Sequence, residues 1–223
     1  MKDMDIPKEI PKTIPKPRLR VFLVRHGEVE DHQEGRLNGH KDVALSELGE
    51  KQMAGVAKEL CKRPIRAVYC SDLYRARKGA ELVAKKLKLK VHALPELREI
   101  DFGEMSGLGW REVLVRMGGN ADKLINWVDN RFPGGENLID LRDRVMPAYQ
   151  KIIQKENGEV AIFAHGGTNR MIIFSEFNLD YKSFFNFEQS YACVNILDYF
   201  QVGMKVLKLM NGSNSCMKIF EPI

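Results

Sequence analysis

Two short stretches place a histidine directly before a glycine. They are Arg25-His26-Gly27-Glu28 and Ala164-His165-Gly166-Gly167. A neutral imidazole is a competent nucleophile near neutral pH. The guanidinium of Arg25 beside it offers paired planar donors that match phosphate oxygens, and a neighbouring glycine lets backbone approach closely. Arg75 and Arg77 follow Ser71-Asp72-Leu73-Tyr74 in the expected first turns of a helix. A helix start repels cations and attracts anions, so Arg75 is read as held there for an anionic ligand, and Arg77 as a surface residue. The amides after His165, beginning with Gly166, are likewise placed to face an oxyanion. Cleaving a phosphate ester also requires a proton for the departing oxygen. Glu99 and Asp101 are both candidates, and residue type alone does not choose between them.

These residues need elements that bring them together. Val21-Phe22-Leu23-Val24 is a continuous apolar run, as in a strand buried on both faces, and it ends at Arg25-His26. A second run, Ala67-Val68-Tyr69-Cys70, ends at Ser71-Asp72, read as the N-cap of a helix reaching Leu87. A third, Val160-Ala161-Ile162-Phe163-Ala164, ends at His165, with a helix from about Thr168. Further helices are expected over 46–60 with Ser46 as N-cap, 110–117, 122–130 and 138–155, and further strands over 91–94, 193–200 and 204–210. The loop 95–109 combines glycines with acidic residues, and Pro133-Gly134-Gly135 breaks the chain. Alternating strands and helices imply an α/β fold: a doubly wound, mostly parallel sheet with helices on both faces, in three layers. Ligands of such sheets bind outside the carboxyl ends of strands. Three strands here end in polar chemistry.

The chain has 223 residues, 44% hydrophobic and 29% charged, with a formal net charge of +5. That suits one α/β domain, expected over 18–223. The mild positive charge suits a small anionic metabolite and demands no nucleic acid. The four cysteines, at 61, 70, 193 and 216, show no metal-like spacing and are expected as free thiols. No apolar leader and no membrane-length run is present, so a cytoplasmic location without membrane association is expected. Residues 1–17 carry Ile-Pro-Lys three times and are read as an extended tail. There is no phosphate-binding G-x-x-x-x-G-K-[ST] loop and no G-x-G-x-x-G, and His26, His32 and His40 fit no standard zinc spacing. No metal and no other cofactor is expected. Association of two copies stays open.

Taken in order, these segments resemble the histidine phosphatase superfamily, also called phosphoglycerate mutase-like, and within it most resemble the alpha-ribazole phosphatase branch. The matching text is Arg25-His26-Gly27-Glu28, Gly39-His40-Lys41-Asp42, Leu45-Ser46-Glu47-Leu48-Gly49 and Ser71-Asp72-Leu73-Tyr74-Arg75-Ala76. It continues with Leu97-Arg98-Glu99 through Phe102-Gly103, Pro133-Gly134-Gly135-Glu136, Ala164-His165-Gly166-Gly167 and Cys193-Val194-Asn195-Ile196. The resemblance implies that His26 is phosphorylated, that Arg25, Arg75 and His165 form the phosphate pocket, and that Glu99 is the proton donor. It places Gly39 at the substrate entrance and gives Glu136 a position near the site; first-turn helix stabilisation is an equal reading of Glu136. Val29 stands where the family commonly has Ser or Thr, His32 where it has Asn, Ala44 for Pro, Gly79 for Thr and Ser106 for Glu. The positions of Val29 and His32 would touch phosphate. The implied activity is a metal-independent phosphomonoesterase on a small phosphorylated metabolite, with alpha-ribazole phosphate among the candidates. The alternative is a 2,3-bisphosphoglycerate-dependent mutase.

Overall fold

The computed structural model describes residues 16–32, 35–119, 127–128 and 130–223. The proline-rich segment up to residue 15 and most of the helix expected over 122–130 lie outside the described residues.

A six-stranded sheet runs through the centre. In chain order its strands are β1 (Leu19–Arg25), β2 (Ile65–Cys70), β3 (Val91–Ala93), β4 (Gly158–Ala164), β5 (Val194–Tyr199) and β6 (Lys205–Gly212). Their order in space is β3-β2-β4-β1-β5-β6. The first four are mutually parallel, and β5 and β6 are antiparallel. Five α-helices are described: α1 (Glu47–Leu60), α2 (Tyr74–Leu87), α3 (Trp110–Arg116), α4 (Leu138–Lys155) and α5 (Gly166–Glu176).

Side chains alternate across β1, so each face of the sheet needs its own cover. Phe22 and Val24 pack with Met53, Val56 and Leu60 of α1 and Ala80 and Val83 of α2. Val21 and Leu23 pack with Leu141, Val145 and Tyr149 of α4 and Met171 to Phe174 of α5. The layers are therefore helix, sheet, helix. The chain leaves β1 for one face and β4 for the other, although β1 and β4 are neighbours. Their divergence opens a crevice at the carboxyl ends, where Arg25 pairs in register with Ala164. His26 and His165 are thereby the next residues on two adjacent strands.

Local signals explain most element ends. The Ser46 side chain accepts from the Gly49 amide and caps α1, as expected. Asn137 and Asp140 form a reciprocal capping box on α4. The expected Ser71-Asp72 cap of α2 is corrected. The N-cap residue is Leu73, and the first helical amide, Tyr74 N, donates to Asp42 Oδ1 at 2.7 Å. Ser71 Oγ accepts from Leu73 N instead, and Asp72 is taken by a paired contact with Arg98 at 2.7 and 2.6 Å. Among the described residues no helix is long and apolar enough to cross a membrane.

Candidate active site

His26 and His165 meet at the crevice with ring centroids 5.1 Å apart, edge to face, and both are at most 5% exposed. Burial, then Arg75 and further cations, holds both imidazoles well below the usual histidine range, so both are neutral near pH 7. His26 Nδ1 lies 2.7 Å from the carbonyl of Gly27. A carbonyl only accepts, so Nδ1 carries the proton and Nε2 keeps its lone pair.

The loop carrying His26 is fixed by backbone contact with α1. A Cβ on Gly27 would collide with the carbonyl of Gly49, and one on Gly49 with the carbonyl of Glu28. The two glycines allow one close approach. Glu28 completes it: its amide donates to Gln52 Oε1 at 2.9 Å, its carbonyl accepts from Ser46 N, and its carboxylate accepts from Ser46 Oγ at 2.7 Å. The segments Arg25-Glu28 and Leu45-Gly49 are thus one unit, and most of their letters hold the nucleophile loop.

Arg75 is 1% exposed and donates to the carbonyls of Gly39 and Lys41, at 2.6 Å each. Burial pushes its pKa down to about 10. Arg25 donates to the carbonyl of Gln189 and lies 4.1 Å from the centroid of the Tyr191 ring. The Tyr191 ring in turn lies 5.7 Å from that of His26. Arg25 Nε and both ring nitrogens of His165 are buried without a hydrogen-bond partner among the described residues. Unpaired buried polar groups are costly and uncommon, and here they converge with two cations.

Glu99 reaches the same place. Its carboxylate accepts from the amides of Gly167 at 3.1 Å and Thr168 at 3.2 Å, at the start of α5, and from Ile100 N at 3.0 Å. A side chain on Gly167 would occupy the position of Glu99 Oε1. The loop bearing Glu99 is tied down on several sides. Its carbonyl accepts from Arg144 at 3.0 Å and from His40 at 2.9 Å, and the carbonyl of Arg98 accepts from Thr168 Oγ1 at 2.7 Å.

The structure therefore brings together Arg25, His26, Arg75, Glu99, His165 and Gly166, and engages the other candidates in contacts of their own. Asp101 accepts from Gly103 N and faces His40, so it shapes its turn. Glu136 immediately precedes α4, whose cap is made by Asn137 and Asp140. It binds Arg144 at 2.6 and 2.7 Å and the amide of Asp101 at 2.9 Å, which braces the Glu99 loop from behind. His32 is engaged with the Val29 carbonyl and Glu28. Gly39 contributes its carbonyl to Arg75, and Val29 is buried beside Leu45. Gly79 is an interior residue, where a Cβ would lie 2.8 Å from Met53 Sδ and 2.9 Å from the Phe163 ring. Tyr191, Gln189 and Arg170 border the site and were not singled out from the sequence. Only Arg170 had a usable signal, since it lies one helical turn beyond Gly166.

A model of the histidine phosphatase superfamily (branch 1) matches residues 21–212. The chain is similar to "Phosphoglycerate mutase-like protein 4" of Arabidopsis thaliana, 38% identical over 157 residues that span 68% of each protein. It is also similar to "Metal-independent phosphoserine phosphatase" of the same plant, 37% identical over 158 residues, 68% of this chain and 66% of that one. Among solved structures, alpha-ribazole phosphatase from Shigella flexneri superimposes with a TM-score of 0.78 at 26% identity, covering 86% of this chain and 96% of that one.

Proposed function

As a member of the histidine phosphatase superfamily, to which the match over residues 21–212 assigns it, this chain is a phosphoric monoester hydrolase, and we propose that it works without metal through a phosphohistidine on His26. In the first step Nε2 of His26 attacks phosphorus, and the bond to the leaving oxygen breaks as Glu99 delivers a proton to that oxygen. In the second, water attacks the phosphohistidine while the Glu99 carboxylate takes the water's proton, and inorganic phosphate departs. Arg25 and Arg75 balance the charge of the equatorial oxygens, and the neutral His165 donates one hydrogen bond to them. The amide of Gly166 opens the helix start beside them.

The observation that carries this reading is the pairing of a proton-locked, neutral His26 with orphaned donors on Arg25 and His165. The donors suit an anion, and the free Nε2 suits attack within it. O-phosphoserine and alpha-ribazole phosphate are candidate substrates, on the activities that name the two phosphatases to which the chain is similar.

The test is nitrophenyl phosphate hydrolysis in the presence of exhaustive chelator, with acid-labile, base-stable phosphate trapped during turnover. Wild type should keep its rate and carry the label. His26→Ala should lose essentially all turnover, roughly a thousandfold or more, and carry none. A rate restored only by added metal, or label retained in His26→Ala, would overturn the mechanism. Transfer of the phosphoryl group back to 3-phosphoglycerate in preference to water would favour the mutase reading.

A further inference from the structure

The phosphate requires Arg25, Arg75 and His165, yet a third guanidinium lies at the same crevice. Arg170 stands on α5, one turn beyond Gly166, on the same face. A Cβ on Gly166 would lie 3.5 Å from Arg25 Nε and 3.6 Å from Arg170 Nη1. Both guanidiniums therefore border the same space beside Gly166. Burial and Arg25 both disfavour charge on Arg170, while Glu99 and Glu188 favour it from a distance. Neither carboxylate forms an ion pair with it among the described residues.

Arg170 is also held in one orientation. Its Nε donates to the carbonyl of Phe187 at 2.7 Å. Its guanidinium carbon lies 5.9 Å from the ring centre of Phe184 and 6.0 Å from that of Phe185. Phe185 is 38% exposed, so this aromatic support leads from the crevice to solvent. With Nε anchored, the two terminal nitrogens remain as a planar fork, the geometry that matches a carboxylate with two parallel hydrogen bonds. Arg170 is partly buried, and a guanidinium beside Arg25 with no ion-pair partner among the described residues gains from an anion that completes the set. With Arg25 and Arg75 assigned to the phosphoryl group in the reading above, the anion that would face Arg170 is assigned to the leaving group.

We propose that Arg170 is the specificity residue that binds a carboxylate on the leaving group, so that the substrate class is an acidic phosphomonoester with a carboxylate close to the esterified hydroxyl. The assignment rests on the phosphatase reading above. It separates the two candidate substrates by chemistry, since O-phosphoserine carries such a carboxylate and a ribazole phosphate does not.

The experiment compares O-phosphoserine with phosphoethanolamine, the same ester without the carboxylate, and with nitrophenyl phosphate. Wild type should prefer O-phosphoserine over phosphoethanolamine in kcat/KM. Arg170→Met should lower that preference by roughly 10- to 100-fold, the usual worth of hydrogen bonds to a charged group. Arg170→Lys, which keeps the charge but loses the fork, should fall between the two. Circular dichroism and melting of both variants check that they fold. Equal losses on all three esters, or a wild type indifferent to the carboxylate, would overturn the role of Arg170 and leave the phosphatase reading standing. Absence of wild-type turnover and of trapped phosphohistidine with every ester would overturn both.

Discussion

At the amino ends of β1 and β4, Arg20 and Arg63 grip carboxylates. Arg20 donates to Asp198 at 2.7 and 2.8 Å, and Arg63 to Glu159 at 2.7 and 2.6 Å, with all four side chains buried. At the carboxyl ends of the same strands, Arg25 and Arg75 bind only backbone carbonyls among the described residues. Glu99, the carboxylate that most favours charge on Arg75, accepts from helix amides and forms no ion pair with either arginine among the described residues. One end of the sheet thus balances its buried charge internally, and the other carries an excess of positive charge shaped around orphaned donors. Burial of arginine alone does not mark a site. Burial of arginine without a carboxylate does.

This contrast can be broken by removing one charge at each end. Arg25→Met should lower nitrophenyl phosphate turnover by roughly 10²–10³-fold, as loss of one oxyanion donor does. Its urea-unfolding free energy should change by no more than about 1 kcal/mol, because the residue leaves a cluster of like charges. Asp198→Asn should do the reverse. Arg20 would remain buried with its paired carboxylate neutralised and only Glu159, at 3.8 Å, opposite it, at a cost of about 3 kcal/mol of stability, while the folded fraction keeps its kcat. A stable Asp198→Asn, or an Arg25→Met that loses stability and keeps activity, would erase the distinction between the two ends.

Within the carboxyl end, Glu99→Gln sharpens the division between phosphate binding and leaving-group chemistry. A general acid matters in proportion to the basicity of the departing oxygen. Rapid-quench measurement of the first step should show a loss for an alkyl phosphate about 10–100 times the loss for nitrophenyl phosphate. Equal losses would demote Glu99 to an electrostatic role, and a selective loss in Asp101→Asn would move the acid role there.

The smallest effect concerns pH. His26 and His165 are held well below their ordinary range in the fold, whereas in the unfolded chain they titrate near about 6.5. Below that pH the unfolded chain binds protons that the fold refuses, so stability falls as pH falls; above it the two histidines contribute no pH dependence. Melting temperature should drop by a few degrees, on the order of 2–4 °C per kcal/mol for a domain of this size, between pH 7.5 and 5.5. The drop should be smaller in His26→Ala. An identical drop in the variant would mean that His26 is not the group resisting protonation.

The layered fold was legible because β1, β2 and β4 are apolar on both faces and each ends abruptly in polar residues. For the same reason Arg25, His26 and His165 could be placed at one edge without knowing any contact. Glu99 could not be distinguished from Asp101 by residue type. Their difference is set by the backbone path that turns one carboxylate onto the Gly167 and Thr168 amides and the other onto the Gly103 amide. Tyr191 and Gln189 were invisible because they come from the segment before β5, whose position follows from strand pairing across the sheet. The Ser71-Asp72 cap failed because a distant loop supplied Asp42 to the same helix end.

Gly27 and Gly49 meet as one contact written at two places in the chain. A side chain at either would force the nucleophile loop and α1 apart along the same line, so once one glycine is lost the second has little left to protect. The two positions are therefore epistatic, with individual costs that do not add. A lineage that replaced one of them would be freed to replace the other, and would reach that state only after rebuilding the support of His26 by other means.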